Sequence, residues 1–126
     1  MPLKTKILVV DDDVEFTETL KDLLELEKCD ASIIHNGYEA LQKVRNEKFD
    51  IVLMDIKMPG INGVETLKEI KKIAPRLAVI LMTGYSLEAL IKDAFKEGAL
   101  AVLDKPLDIP KLFGHLAAAR SAATLS

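Results

Sequence analysis

The chain holds one cysteine, no tryptophan, two tyrosines and four phenylalanines. The single Cys29 excludes an internal disulfide and a thiolate metal cluster. It reads as a small side chain between a first helix and a second strand. An excess of positive charge is also missing, because 17 basic residues face 20 acidic ones for a net charge of -3. That leaves no electrostatic footprint for nucleic acid, and direct nucleic-acid binding is not expected. No apolar run approaches bilayer length, so no membrane contact is expected. Met1-Pro2-Leu3-Lys4 lacks the long apolar stretch of a signal peptide, which makes the cytoplasm the expected compartment. Histidine is scarce too. His35 and His115 have no partner His or Cys at ligand spacing, and neither is assigned a metal or catalytic role. Met54, Met58 and Met82 read as packing residues rather than redox sites.

What remains is apolar residues in short runs. With 126 residues, 49% of them apolar and 29% charged, the chain suits one globular domain with a real core. Four runs each stop at a polar residue. Ile7-Leu8-Val9-Val10 ends at Asp11-Asp12-Asp13, and Ile51-Val52-Leu53-Met54 ends at Asp55. Ala78-Val79-Ile80-Leu81-Met82 ends at Thr83, and Leu100-Ala101-Val102-Leu103 ends at Asp104-Lys105-Pro106. Runs this short and this apolar read as strands buried on both faces. If they lie parallel, their carboxyl ends share the edge where open α/β sheets keep their sites. Carboxylates, a hydroxyl and an amine would then converge, a set suited to a divalent cation and a phosphoryl group.

Helix signals alternate with the strands. Phe16, Leu20, Leu23 and Leu24 mark a first amphipathic helix, with Asp13 as its expected cap. Ala31–His35 reads as a second, less apolar strand at an edge, followed by a turn at Asn36-Gly37. Ala40, Leu41 and Val44 mark a short helix. Asn62 is a candidate cap for a helix carrying Val64, Leu67 and Ile70, which ends before Pro75. Ser86 is a candidate cap for Leu87, Leu90, Ile91 and Ala94, and Gly98 is placed to stop that helix. Asp108 is a candidate cap for Ile109, Leu112, Phe113 and Leu116, with Pro110 tolerable in the first turn. The pattern is βαβαβαβαβα, an α/β three-layer sandwich with a five-stranded parallel sheet and five helices. Residues 1–119 form the expected domain. Residues 120–126, rich in Ala, Ser and Thr, either extend the last helix or begin a linker.

The residues at the run-ends carry a family resemblance. Asp11-Asp12-Asp13, Met54-Asp55-Ile56-Lys57-Met58-Pro59-Gly60-Ile61-Asn62-Gly63, Leu81-Met82-Thr83-Gly84 and Asp104-Lys105-Pro106 stand in order at the expected intervals. Together they resemble the receiver domain of two-component response regulators over about the first 115 residues. The resemblance implies a flavodoxin-like strand order 2-1-3-4-5. It also implies a regulatory domain rather than a dedicated enzyme, assisting its own phosphorylation and dephosphorylation. Asp55 would be the phosphoacceptor, since a carboxylate can attack phosphorus and form an acyl phosphate. Crowded carboxylates repel one another and an incoming phosphoryl group, and Mg²⁺ offsets that repulsion. By resemblance Asp11, Asp12, Asp55 and the backbone carbonyl of Lys57 hold Mg²⁺, with Mn²⁺ as the alternative. Lys105 would place an ammonium on the phosphoryl oxygens. In the family the following Lys-Pro bond is usually cis. Thr83 would supply a hydroxyl to the same oxygens and shift on phosphorylation, with Gly84 allowing close backbone approach.

The implied partners are a sensor histidine kinase or histidine phosphotransfer protein as donor, and an unidentified output domain or protein. A homodimer on phosphorylation stays open. The family commonly has an aromatic switch residue three positions before the lysine, and Val102 stands there instead. A valine cannot swing a ring, so backbone shifts at residues 83–86 are left to carry a signal. Lys57 and Tyr85 lie two residues after Asp55 and Thr83, where bulk is expected to hinder the attacking water and lengthen acyl-phosphate lifetime. Unchanged dephosphorylation rates in Lys57→Ala and Tyr85→Ala would rule this out.

Two alternatives remain. A phosphate-independent interaction domain would keep the fold, but such domains typically lose part of the acidic set or the lysine. A haloacid-dehalogenase-type phosphohydrolase would use Asp11 and Asp13 as its Asp-x-Asp motif. Val14-Glu15 stands where Gly-Thr is usual there, and Asp55 would be left unexplained.

Overall fold

The computed structural model describes residues 4–84 and 88–125, with side chains described through residue 120. Strands and helices alternate as β1 (Lys6–Val10), α1 (Val14–Leu26), β2 (Asp30–Ile34), α2 (Gly37–Asn46) and β3 (Ile51–Asp55). Then follow α3 (Gly63–Ile73), β4 (Ala78–Thr83), α4 (Glu88–Lys96), β5 (Ala101–Asp104) and α5 (Ile109–Leu125). The strands form one sheet in the order β2-β1-β3-β4-β5, and every pairing is parallel. This is the flavodoxin-like sandwich expected above, with β2 at an edge.

The apolar runs hide an alternation. Side chains along a strand point to opposite faces with a period of two. Leu8, Val10, Val52, Met54, Val79 and Leu81 face α2, α3 and α4, where Val44, Leu67, Ile70 and Ala94 cover them. Ile7, Val9, Ile51, Leu53, Ile80 and Met82 face α1 and α5, under Leu20, Leu24, Leu112 and Leu116. Both faces are sealed, so hydrophobic burial drives both layers at once. Val102 lies at the fringe of the α2/α3/α4 core, paired in register with Leu81.

Helix starts follow the expected chemistry. Asp13 caps α1 by accepting from the Phe16 N–H at 3.0 Å. Asn62 and Glu65 form a reciprocal capping box at α3. Asp108 accepts from the Lys111 N–H at 3.1 Å. Gly98 ends α4 in the left-handed region, at φ +101. Ser86 and Leu87 lie outside the described residues.

One expectation is corrected. Asn36-Gly37 is not a free-standing turn, because Asn36 caps α2 by accepting from the Glu39 N–H and Gly37 is already helical. Gly37 is glycine for packing: a Cβ there would lie 2.3 Å from Thr66 Oγ1 and 2.7 Å from Ile61 Cγ1. Its absence lets α2 close onto α3. At the other end of the chain, α5 continues as helix through Leu125, in keeping with the alanine content of that segment.

Candidate functional site

The strand order sets the run-ends side by side. Asp11 follows β1, Asp55 ends β3, Thr83 ends β4 and Lys105 follows β5, on four adjacent strands. The alternation then sorts them. Asp11, Asp55 and Lys105 extend the rows that begin with Ile7, Ile51 and Ala101 and face α1 and α5. Thr83 extends the opposite row, after Val79 and Leu81.

The acidic residues meet as that placement requires. One carboxylate oxygen from each of Asp11, Asp12 and Asp55 lies within 4.8 Å of the other two. Asp11 is fully buried and Asp55 nearly so, while Asp12 is exposed. Burial and then the Asp11 carboxylate push the Asp55 carboxyl up to about 6. The Lys105 ammonium opposes that rise, Asp12 adds to it, and a backbone hydrogen bond from Lys57 pulls the other way. Three hard oxygen donors that crowd one another at neutral pH form the kind of set a small divalent cation relieves. The donor chemistry therefore fits Mg²⁺, and Asp11, Asp12 and Asp55 would hold it.

Lys105 donates to Asp11 Oδ2 at 2.5 Å, and its Nζ stands 3.7 Å from Asp55 Oδ1. The Phe16 ring of α1 lies beneath the same ammonium, 4.3 Å away at its centroid. A contact of that kind contributes about 1 kcal/mol and steers the lysine without neutralising it. The Lys105–Pro106 bond is cis. The backbone joins the strand ends directly: the Lys105 N–H donates to the Thr83 carbonyl at 2.8 Å, and the Ile56 N–H to the Met82 carbonyl at 2.9 Å.

Above these groups is a depression of about 570 Å³, lined by Asp12, Asp55, Lys57, Met58, Pro59, Gly84 and Lys105. Thr83 is buried beside it. A Cβ at Gly84 would meet nothing within 4 Å. Among the described residues no backbone approaches it closely, so the missing side chain leaves room in the depression instead. Tyr85 lies outside the described residues.

Two contributors have no structural role assigned from the sequence. Gly63 opens α3 against the end of β3, where a Cβ would lie 2.3 Å from the Asp55 carbonyl oxygen. Its N–H donates to the Ile56 carbonyl at 2.7 Å. His35, left without a role above, has its ring Nδ1 2.9 Å from the Asp11 carbonyl oxygen. Only the fold reveals either contact, since backbone oxygens look alike in any sequence.

Comparison with known proteins agrees with this geometry. The family model described as response regulator receiver domain matches residues 7–117. The chain is 45% identical over 120 residues to the transcriptional regulatory protein ZraR of Klebsiella oxytoca, covering 95% of this chain and 27% of that protein. It is 36% identical over 110 residues to sporulation initiation phosphotransferase F of Bacillus subtilis, covering 87% of this chain and 89% of that protein. It thus spans about a quarter of the ZraR relatives it matches and most of the second protein. Among solved structures, the CheY-like receiver domain protein of Methanospirillum hungatei JF-1 superposes with a TM-score of 0.93 at 30% identity, covering 98% of this chain and 100% of that one. A receiver domain protein of Clostridium thermocellum gives 0.90 at 34% identity, covering 96% and 98%. Among the described residues no helix is long and apolar enough to cross a membrane. With the sheet order, the acidic cluster and the lysine in place, and the family model matched over residues 7–117, the chain belongs to the response regulator receiver domains.

Proposed function

We propose that this domain accepts a phosphoryl group on Asp55 from the phosphohistidine of a sensor histidine kinase or a histidine phosphotransfer protein. An Asp55 carboxylate oxygen bonds to phosphorus, the phosphorus–nitrogen bond to the donor imidazole breaks, and the imidazole leaves. The observation that carries this reading is the meeting of three carboxylates and the Lys105 ammonium at one sheet edge. In this reading Asp11, Asp12, Asp55 and the Lys57 backbone carbonyl hold Mg²⁺, or Mn²⁺ in its place. The cation neutralises charge that would otherwise repel the phosphoryl group. Lys105 and Thr83 meet the phosphoryl oxygens, one with a charge and the other with a hydroxyl.

Residues 1–119 form the receiver unit, and residues 120–126 lead away from it as a tail or the start of a linker. The setting is cytoplasmic. The role is regulatory: the phosphorylated form favours a partner through the surface of α4, β5 and α5, with Val102 rather than a ring beneath it. Relatives matched over a quarter of their length support an attached output domain, and the relative matched over most of its length supports a free-standing shuttle.

Incubation with a small phosphodonor, with and without Mg²⁺, followed by intact mass measurement, tests the assignment. The wild type gains one phosphoryl group only with the metal, and Asp55→Asn gains none. Equal uptake by the mutant, or uptake without any divalent metal, would overturn it. Phosphate found on Asp11 instead would favour the dehalogenase-type reading.

A further inference from the structure

His35 stands just past β2, next to the acidic loop that leaves β1. Its ring Nδ1 is 2.9 Å from the Asp11 carbonyl oxygen. A carbonyl oxygen only accepts, so Nδ1 carries the hydrogen and donates it. The rest of Asp11 is held as well. Its N–H donates to the Ile34 carbonyl at 3.1 Å. Its Oδ1 accepts from the Asp13 N–H at 3.0 Å, and its Oδ2 accepts from Lys105. His35 therefore completes a clamp on every polar atom of this residue.

The carbonyl is the atom in that clamp that matters for the next residue. The Asp11 carbonyl and the Asp12 N–H share one rigid peptide plane. Fixing the oxygen fixes the plane, and with it the direction in which Asp12 departs. Asp11 and Asp55 are aimed by burial, whereas Asp12 is exposed and has no such support. Its carboxylate still lies within 4.8 Å of theirs. Only its backbone can aim it.

We infer that His35 is a positioning residue for the acidic cluster. By holding the Asp11–Asp12 peptide plane it keeps the Asp12 carboxylate on the other two and so sets the affinity for a divalent cation. The inference rests on the cluster being the Mg²⁺ site proposed above. It requires only a hydrogen-bond donor at the Nδ1 position and no change in protonation.

That requirement defines the test. Asparagine places its side-chain amide nitrogen on Cγ, where histidine carries Nδ1, and alanine offers no donor. Mg²⁺ is titrated calorimetrically into the wild type, His35→Ala and His35→Asn, with urea unfolding of each protein alongside. The alanine variant is expected to bind Mg²⁺ about tenfold more weakly, the lower end of what loss of an outer-shell partner costs. Its urea midpoint should stay near wild type, because the side chain is exposed. The asparagine variant should recover most of the affinity. A purely structural role would move the midpoint and leave the affinity alone. An unchanged affinity in His35→Ala, or no recovery in His35→Asn, overturns the inference while leaving the cation site standing. Absence of saturable Mg²⁺ binding by the wild type overturns both.

Discussion

Asp55→Asn is expected to stabilise the metal-free protein by about 2 kcal/mol at pH 8, while abolishing phosphate uptake. The reason lies in the direction of the Asp55 shift. Its carboxyl is raised from 3.8 to about 6, first by burial and then by Asp11. Folding therefore favours the protonated form. Below about pH 3 the carboxyl is neutral in both folded and unfolded chains, and stability is unaffected. As pH rises through 6, the folded protein must ionise a buried carboxylate beside another, and stability falls. Asparagine has no charge to lose and escapes this fall. The full shift corresponds to about 3 kcal/mol, and the smaller figure allows for solvent reaching the depression. Lys105 keeps its closer partner, Asp11, in the mutant. Urea unfolding in a chelator at a series of pH values checks the effect, with the difference between the two proteins growing from near zero at pH 3 to a plateau above pH 7. A difference independent of pH, or a mutant less stable than wild type at pH 8, would show that burial does not disfavour the Asp55 charge.

Gly63→Ala sets two effects against each other. Gly63 is helical and its φ is not positive. Helix propensity alone favours alanine there, by less than the about 1 kcal/mol of a helix interior because Gly63 is the first helical residue. Packing opposes it. The new Cβ would lie 2.3 Å from the Asp55 carbonyl oxygen and 2.8 Å from the Ile56 Cα. Both are backbone atoms of the strand end, and neither can rotate away as a side chain would. Helix α3 must retreat from β3, or β3 must bend. The expected net loss is about 3 kcal/mol, at the upper end for overpacking a tight contact. The movement falls on Asp55 itself, so phosphate uptake should slow beyond what unfolding explains. The urea midpoint and the initial uptake rate at saturating Mg²⁺ read the two consequences separately. A midpoint equal to or above wild type would show that the contact relaxes freely and propensity wins.

Glycine 63 also shows where sequence reasoning stops. The four run-ends were readable because a parallel sheet covered on both faces writes each strand as a continuous apolar run with an abrupt end. Asp13, Asn62 and Asp108 were readable as caps because capping is local. The packing reasons for Gly37 and Gly63 were not, because what each avoids lies in another element: Thr66 and Ile61 for one, the end of β3 for the other. Asn36-Gly37 has the same letters as a tight turn, but Asn36 caps α2 locally, accepting from the Glu39 N–H at 2.9 Å. Lys28 ends α1 in the left-handed region at φ 62 without the glycine or asparagine that would signal it. His35 showed no role in the sequence because its partner is a backbone oxygen, not a residue type. The continuous runs concealed one thing more. With both faces apolar, nothing in the hydropathy tells which row a run-end joins, although counting by twos from Ile7, Ile51 and Ala101 sends Asp11, Asp55 and Lys105 to the same face.

The hydrogen-bonded strand ends act as a ruler. Neighbouring strands in a sheet stand about 4.8 Å apart, a spacing set by peptide geometry rather than by which side chains pack above and below. Asp11, Asp55, Thr83 and Lys105 occupy consecutive marks on it, and the Ile56 and Lys105 amides pin the last intervals. Replacements in the two cores can loosen the helices without recalibrating those marks. Dimensions at the sheet edge are thus inherited from the polypeptide itself, leaving the loops free to vary what surrounds them.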